Sequence, residues 1–321
     1  MNIQTASPLY IHELGQRSNQ EDSLWPPFGK ASQTDRVFIV CDGMGGHEHG
    51  EVASRVVTET VGKYLTEHFP ADSALPDDVI MEAISAAYDQ LDAIDTDTRG
   101  RIMGTTLTLL CLHRGGATMA HIGDSRIYHI RTEKGHECLL YLSRDHSLAM
   151  EMYLAGELSQ EEMATYDKKN IITRAMQPHQ ERHSRPDIVH TTDLRGGDYF
   201  FLCTDGITER LSDTELLSIL CAGTTDKEKL QKIKEATKDA ADNHTAYLVR
   251  IEDAEKDTSD AYAQHNEDTS RANFLVAKRY ALDDEEYNTG NAIKEICTKD
   301  KNDCPQNEKS WIKRFMKIWM N

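Results

Sequence analysis

The chain has 321 residues, 39% of them hydrophobic, enough for a sizeable core in one large domain plus extras. Its net charge of −18 argues against a nucleic-acid partner, and no apolar stretch approaches the ~20 residues of a membrane span. The start lacks the basic and apolar run of a signal peptide, and the seven cysteines include no Cys-x-x-Cys pair, so disulfides and a zinc site are not expected and a reducing cytoplasm is.

Residues 1–35 carry one short polar cluster, Arg17-Ser18-Asn19-Gln20-Glu21-Asp22. By itself it reads as a solvated turn. Val37 to Cys41 is apolar and partly β-branched, the pattern of a buried strand. Asp42 ends it, followed by Gly43, Gly45 and Gly46, which let the backbone approach whatever the carboxylate holds. Glu51 to Phe69 and Asp78 to Ile94 have apolar residues at i, i+3, i+4 spacing and predict two amphipathic helices. Ile94 is placed on the buried face of the second.

Strands are predicted over Thr105–His113 and Ala117–Ile122, joined at Gly115-Gly116. Gly123-Asp124-Ser125-Arg126 breaks the run. Ile127–Arg131 and Cys138–Leu142 form a further hairpin across Lys134-Gly135, and consecutive hairpins mean antiparallel pairing. From Asp145 to Arg174 the chain turns polar, with one short helix over Met150–Ala155. Such an excursion between strands reads as a surface insertion that gates a site. Ile188–Leu194 and Asp198–Cys203 return to strands, the second ending in Thr204-Asp205-Gly206. Helices follow over Asp213–Leu220 and Asp226–Ala241, then Asp242-Asn243-His244 as a turn, and a last strand over Thr245–Ile251.

The organisation is therefore a domain over 1–252, a polar and mostly disordered tail over 253–310, and a short basic amphipathic helix over 311–321. Two apolar runs each ending in Asp-Gly place hard oxygen donors where one divalent cation needs them. His47 and His49 have no third nitrogen or sulfur ligand nearby and read as surface residues. Asp145-His146-Ser147 is too local for a hydrolase triad and reads as structural support near the site.

The segments Arg17 to Asp22, Asp42 to Gly46, Gly104 to Thr106, Gly123 to Arg126, Asp145 to Ser147, Asp205-Gly206 and Asp242-Asn243 occur in one order over about residues 10–251. In that set the chain resembles the metal-dependent serine/threonine protein phosphatases of the type 2C family, in their bacterial form. The resemblance implies an α+β fold, a four-layer αββα sandwich of two antiparallel sheets flanked by helices. It implies two or three Mn²⁺ or Mg²⁺ ions. It assigns Asp42 as a carboxylate bridging two metals, Asp205 and Asp242 to the first metal, and the Gly43 carbonyl with Glu21 and Asp22 to the second. Asp124 would serve a third, weaker ion beside Asp205, and Arg17 would grip the substrate phosphate. The reaction so implied is attack on phosphorus by a metal-bridged water, without a covalent phospho-enzyme. Many eukaryotic members have a histidine proposed as general acid at the position of Met44, and the family's usual asparagine before the Glu-Asp pair is Gln20 here.

The partners implied are phosphoprotein substrates and a serine/threonine kinase, with membrane contact through the C-terminal basic helix as a further expectation. Two other readings compete: a degenerate fold that binds phosphoproteins without hydrolysis, and a phosphatase of small phosphoesters. Retention of Asp42, Asp205 and Asp242 favours the enzyme over the first.

Overall fold

β4 (Val37–Cys41) is buried at all five positions, so it lacks the polar alternation of a one-sided strand. Its side chains alternate between two cores. Val37, Ile39 and Cys41 face one and Phe38 and Val40 the other. This is a computed structural model, in which residues 1–45, 49–69, 72–95, 103–133 and 136–255 are described. The expected tail over 253–310 lies outside them beyond residue 255, as do the expected helix over 311–321, Lys134-Gly135 and His47.

Two antiparallel sheets form the centre. The first contains β1 (Asn2–Thr5), β2 (Leu9–Glu13), β9 (Arg126–Glu133), β10 (His136–Leu142), β12 (Asp198–Cys203) and β13 (His244–Glu255). The second runs β11 (Asp187–Thr191), β8 (Gly116–Ile122), β7 (Leu107–His113), β4 and β3 (Ser23–Trp25). A two-stranded piece pairs β5 (Gly43–Met44) with β6 (Gly104–Thr105).

Between the sheets, Phe38, Val40, Leu110 and Met119 pack with Phe200, Leu202, Tyr247 and Val249. On the outer face of the second sheet lie α1 (His49–His68) and α2 (Asp77–Ile94). The α1 residues Ala53, Val57, Val61 and Leu65 recur every fourth position, which keeps them on one stripe against the sheet. On the outer face of the first sheet, Tyr128, Tyr199 and Phe201 pack with Leu216 and Leu220 of α6 (Asp213–Cys221) and Leu230 and Ile233 of α7 (Asp226–Thr237). The order of layers is helix, sheet, sheet, helix, as expected.

Several elements differ from the sequence reading. Strands β1, β2 and β3 lie in the segment read only as a polar cluster; β1 and β2 both pair with the long β13, and β3 pairs with β4. Ile94 is 38% exposed, because α2 ends there and the stripe has turned off the sheet. The excursion after Asp145 holds two helices, α3 (Leu148–Leu154) and α4 (Gln160–Thr165), the second capped reciprocally by Ser159 and Glu162. Asp205, read as part of the end of the Asp198–Cys203 run, opens a short helix, α5 (Asp205–Thr208).

Candidate metal centre

Strand register sets the site. Cys203 at the end of β12 pairs with Ala246 near the start of β13, and with Arg126 at the start of β9. His244 pairs with Glu13 at the end of β2. In the other sheet, Val40 pairs with Thr108, and Ile122 pairs with Leu107. The segments that follow or precede these strand ends carry Glu21 and Asp22, Asp42, Asp124, Asp205 and Asp242. All expected site residues therefore meet at one end of the sandwich.

The backbone around Asp42 is fixed on both sides. Its N–H donates to Thr106 Oγ1 at 2.9 Å, and its carbonyl accepts from Thr106 N at 2.9 Å and Thr105 Oγ1 at 2.8 Å. Gly43 N–H donates to the Glu21 carbonyl at 3.1 Å. A Cβ at Gly43 would collide with the carbonyl oxygens of Gly50 and Glu21, so only glycine allows this approach. Asn243 ties the same region together. Its Oδ1 accepts from Glu21 N–H at 2.8 Å, while its Nδ2 donates to the Leu14 and Asn19 carbonyls at 2.8 and 3.0 Å.

The acids crowd one another. Asp22 is buried, and Thr204 Oγ1 donates to its Oδ2 at 2.9 Å. Burial nevertheless pushes Asp22 up to about 8. Asp42, Asp124 and Asp205 are partly exposed at the mouth, yet dense protein surrounds them. Asp42 is held well above the usual carboxylate range by burial, then by the charges of Asp22, Asp205 and Asp124. Asp124 is raised in the same way by burial and by Asp205 and Asp145. Asp205 rises to about 6, by burial and the charges of Asp242 and Glu209. Burial raises Glu21 as well.

Two carboxylate oxygens, Asp124 Oδ1 and Asp205 Oδ1, are buried with no hydrogen-bond partner among the described residues. An orphaned buried acceptor in an acidic cluster is costly, and a divalent cation removes that cost. The donor set is all oxygen, which suits Mn²⁺ or Mg²⁺. Arg17, 51% exposed, donates from Nη2 to Asp242 Oδ2 at 2.6 Å and stands at the edge of the cluster.

Other groups serve as supports. Arg126 grips Asp145 with two bonds of 2.8 and 2.6 Å and reaches Asp213 at 2.9 Å. Thr106 Oγ1 and Ser125 Oγ lie 2.7 Å apart. The support by Thr204, Asn243 and Ser125 was not read from the sequence, because each acts across segments far apart in the chain. A cavity of about 730 Å³ lies elsewhere, between Ile84 and Tyr88 of α2 and residues 181–185, and no acid of the cluster lines it.

Comparison with known proteins places the chain. A family model described as protein phosphatase 2C matches residues 12–244. The chain belongs to the protein phosphatase 2C family. Among its relatives, protein phosphatase PhpP of Streptococcus pneumoniae is 33% identical over 250 residues, covering 76% of this chain and 98% of PhpP. The crystal structure of the Mycobacterium tuberculosis serine/threonine phosphatase PstP/Ppp superposes with a TM-score of 0.65 at 26% identity, covering 78% of this chain and 100% of that one. The catalytic domain of PstP in complex with two manganese ions gives a TM-score of 0.62 at 26% identity, with the same coverage. Members of the family are metal-dependent serine/threonine protein phosphatases using Mn²⁺ or Mg²⁺, and this chain is an enzyme of that class. Among the described residues, no helix is long and apolar enough to cross a membrane.

Proposed function

We propose that this phosphatase hydrolyses phosphoserine and phosphothreonine in proteins, with divalent cations held by Asp42, Asp205, Asp242, the Gly43 carbonyl, Glu21 and Asp22, and a further ion beside Asp124. The observation that carries the reading is the pair of buried oxygens of Asp124 and Asp205, without a hydrogen-bond partner among the described residues, inside a cluster of raised acids. Cations held there would supply Lewis acidity, which lowers the pKa of water and offsets the charge of the phosphoryl group.

The chain's own residues do the rest. Arg17 presents a guanidinium fork beside Asp242, placed to take two phosphate oxygens and to hold charge that builds in the transition state. Thr105 and Thr106 hold the Asp42 backbone so that its carboxylate keeps its aim. Met44, paired with Gly104, has no proton to give a leaving group. A cysteine nucleophile is not favoured, since burial pushes the Cys41 and Cys203 thiols up and keeps them protonated.

A cytoplasmic location, a serine/threonine kinase as partner, and membrane contact through residues 311–321 belong to the same proposal. The location is supported by the buried cysteines Cys41, Cys111 and Cys203, which form no disulfide. Phosphate release from a phosphothreonine peptide with Mn²⁺, with Mg²⁺ and with chelator tests the activity. A panel of small phosphoesters run beside it tests the substrate class. Full activity in chelator, or faster turnover of the small esters alone, overturns the proposal.

A further inference from the structure

The carboxylate of Asp124 takes a hydrogen bond from its own backbone N–H, within the turn that carries it. Its Oδ1 lacks a partner among the described residues, so the direction of the side chain rests on the backbone of the turn that carries it. That turn, Gly123-Asp124-Ser125, joins β8 to β9 with Gly123 at φ +107°. A Cβ there would lie 2.6 Å from Thr106 Cγ2 and would be strained at that φ.

Both backbone polar groups of Gly123 are held by one residue. His146 N–H donates to the Gly123 carbonyl at 2.9 Å, and Gly123 N–H donates to His146 Nδ1 at 3.1 Å. Gly123 N–H faces Nδ1 and Arg174 Nη1 lies 3.2 Å from Nε2, so a donor meets each ring nitrogen; Asp187 draws both the Arg174 guanidinium and the Nε2 proton, which leaves the Nδ1 lone pair to Gly123. Nε2 lies 3.3 Å from Asp187 Oδ2, and Arg174 donates to Asp187 Oδ1 at 2.9 Å. The ring is 4% exposed and stacks on His121 with centroids 4.6 Å apart and planes 16° apart. His121 is fixed in turn by donating from Nε2 to the Arg144 carbonyl at 2.8 Å. Asp145, the residue before His146, holds Arg126 on the other side of the turn.

We propose that His146 is a positioning residue for Asp124: its Nδ1 and backbone N–H clamp Gly123, and Asp187 with Arg174 hold the clamp. The inference rests on the reading of Asp124 as a carboxylate for a divalent cation. The same cluster does not serve as a cation site of its own. His121, His146 and Asp187 bring ligand atoms within 4.8 Å of one another. Both His146 nitrogens are already committed, the two rings are nearly parallel, and the guanidiniums of Arg174 and Arg144 already face Asp187. One free lone pair on His121 Nδ1 holds no ion.

The clamp also has a mechanical consequence. Both ends of the excursion meet at His146. Thr173 N–H donates to its carbonyl at 2.8 Å, Ser147 bridges Ile172, and Arg174 follows at once. The segment carrying α3 and α4 is therefore joined to the Asp124 turn at His146, through its backbone and its ring.

Two near-isosteric substitutions separate the two ring nitrogens. H146N keeps an acceptor near the Nδ1 position and loses the Nε2 donor. H146Q keeps a donor near the Nε2 position and loses the acceptor for Gly123. Mn²⁺ binding to the full chain is measured by titration calorimetry, beside D124N and D187N, with near-ultraviolet dichroism reporting folding. D124N is expected to weaken or abolish the weakest Mn²⁺ site. H146Q is expected to weaken that same site by about 10-fold, with the tighter sites unchanged, as loss of supporting hydrogen bonds does at metal centres. H146N should stay within about threefold of the parent protein. Unchanged binding in H146Q beside weakened binding in D124N overturns the clamp and leaves the metal reading standing. Equal weakening in H146Q and H146N overturns it too, because the ring would then only fill space. Unchanged binding in D124N overturns the metal role of Asp124 instead. Should H146Q fail to fold, H146L, which also lacks the acceptor for Gly123, carries the test, with weakening of the same site expected and unchanged binding contradicting the clamp; D187N, which like H146N loses only the Nε2 contact, should stay within about threefold.

Discussion

The metal-free protein should lose stability as pH rises from 7 to 8, and Mn²⁺ should remove that loss. Asp22 stands at about 8 in the folded chain, against an ordinary carboxylate value of about 3.9 when unfolded. A carboxyl raised on folding contributes its full stability below the unfolded value, and that contribution is lost as pH climbs through the folded value. Between pH 7 and 8 the unfolded chain is fully ionised at this position. The folded chain passes from mostly protonated to about half protonated, so Asp22 alone lowers stability by about 1 kcal/mol. Asp42 and Asp124 are also raised well above the usual carboxylate range and act with the same sign. The buried histidines His113 and His121, lowered to about 4, act below the unfolded histidine value of about 6.5 and leave this window untouched. For a domain of this size 1 kcal/mol corresponds to a Tm change of about 2–4 °C, so the metal-free Tm should fall by at least that. Cations keep the acids ionised in the folded state, so saturating Mn²⁺ should flatten the slope. Thermal unfolding across the pH series in chelator and in Mn²⁺ reads both effects, and D22N in chelator should lose part of the slope. A metal-free Tm that is level or rises across the window refutes the reasoning, as does a slope that Mn²⁺ leaves unchanged.

Other outcomes follow from the site and its surroundings. Chelation should abolish phosphopeptide hydrolysis and Mn²⁺ restore it, and D205N should lower kcat by about 10²-fold or more, read by phosphate release. R17A should raise KM and lower kcat while calorimetric Mn²⁺ affinity holds, and R17K should recover only part, because an ammonium cannot replace the fork. Replacing residues 157–168, which include α4, by a short Gly-Ser link should leave the core folded and reduce turnover of a phosphoprotein more than of a small aryl phosphate. Equal effects on both substrates would remove the gating role. Truncation after Asn307 should leave phosphopeptide hydrolysis intact and lose co-sedimentation with anionic liposomes, if the basic segment anchors the protein.

Much of the sandwich was legible in the chain because its strands are buried on both faces. Val37–Cys41 and Tyr199–Cys203 read as continuous apolar runs, and burial of every position is what such runs record. Both long helices were legible for a similar reason, since the i, i+4 stripe of α1 is set by one sheet face alone. β1, β2 and β3 were not, because they are short and partly exposed, and pairing with β13 and β4 rather than local pattern makes them strands. α4 carried a readable signal in Ser159 and Glu162, three residues apart, which its polar composition masked.

At the site, the sequence by itself determined the donors: hard oxygens at the ends of two apolar runs, with glycines where the backbone must approach closely. It did not determine their shared environment. Asp22, Asp42, Asp124 and Asp205 come from four segments, and only strand register brings them to one end of the sandwich, where burial and mutual charge raise them together. The partners that hold them, Asn243 for Glu21, Thr204 for Asp22 and His146 for Gly123, reach across 222, 182 and 23 residues. A hydrogen bond depends on atoms meeting within about 3 Å, and between distant segments that meeting is decided by packing, which no local pattern of residues encodes.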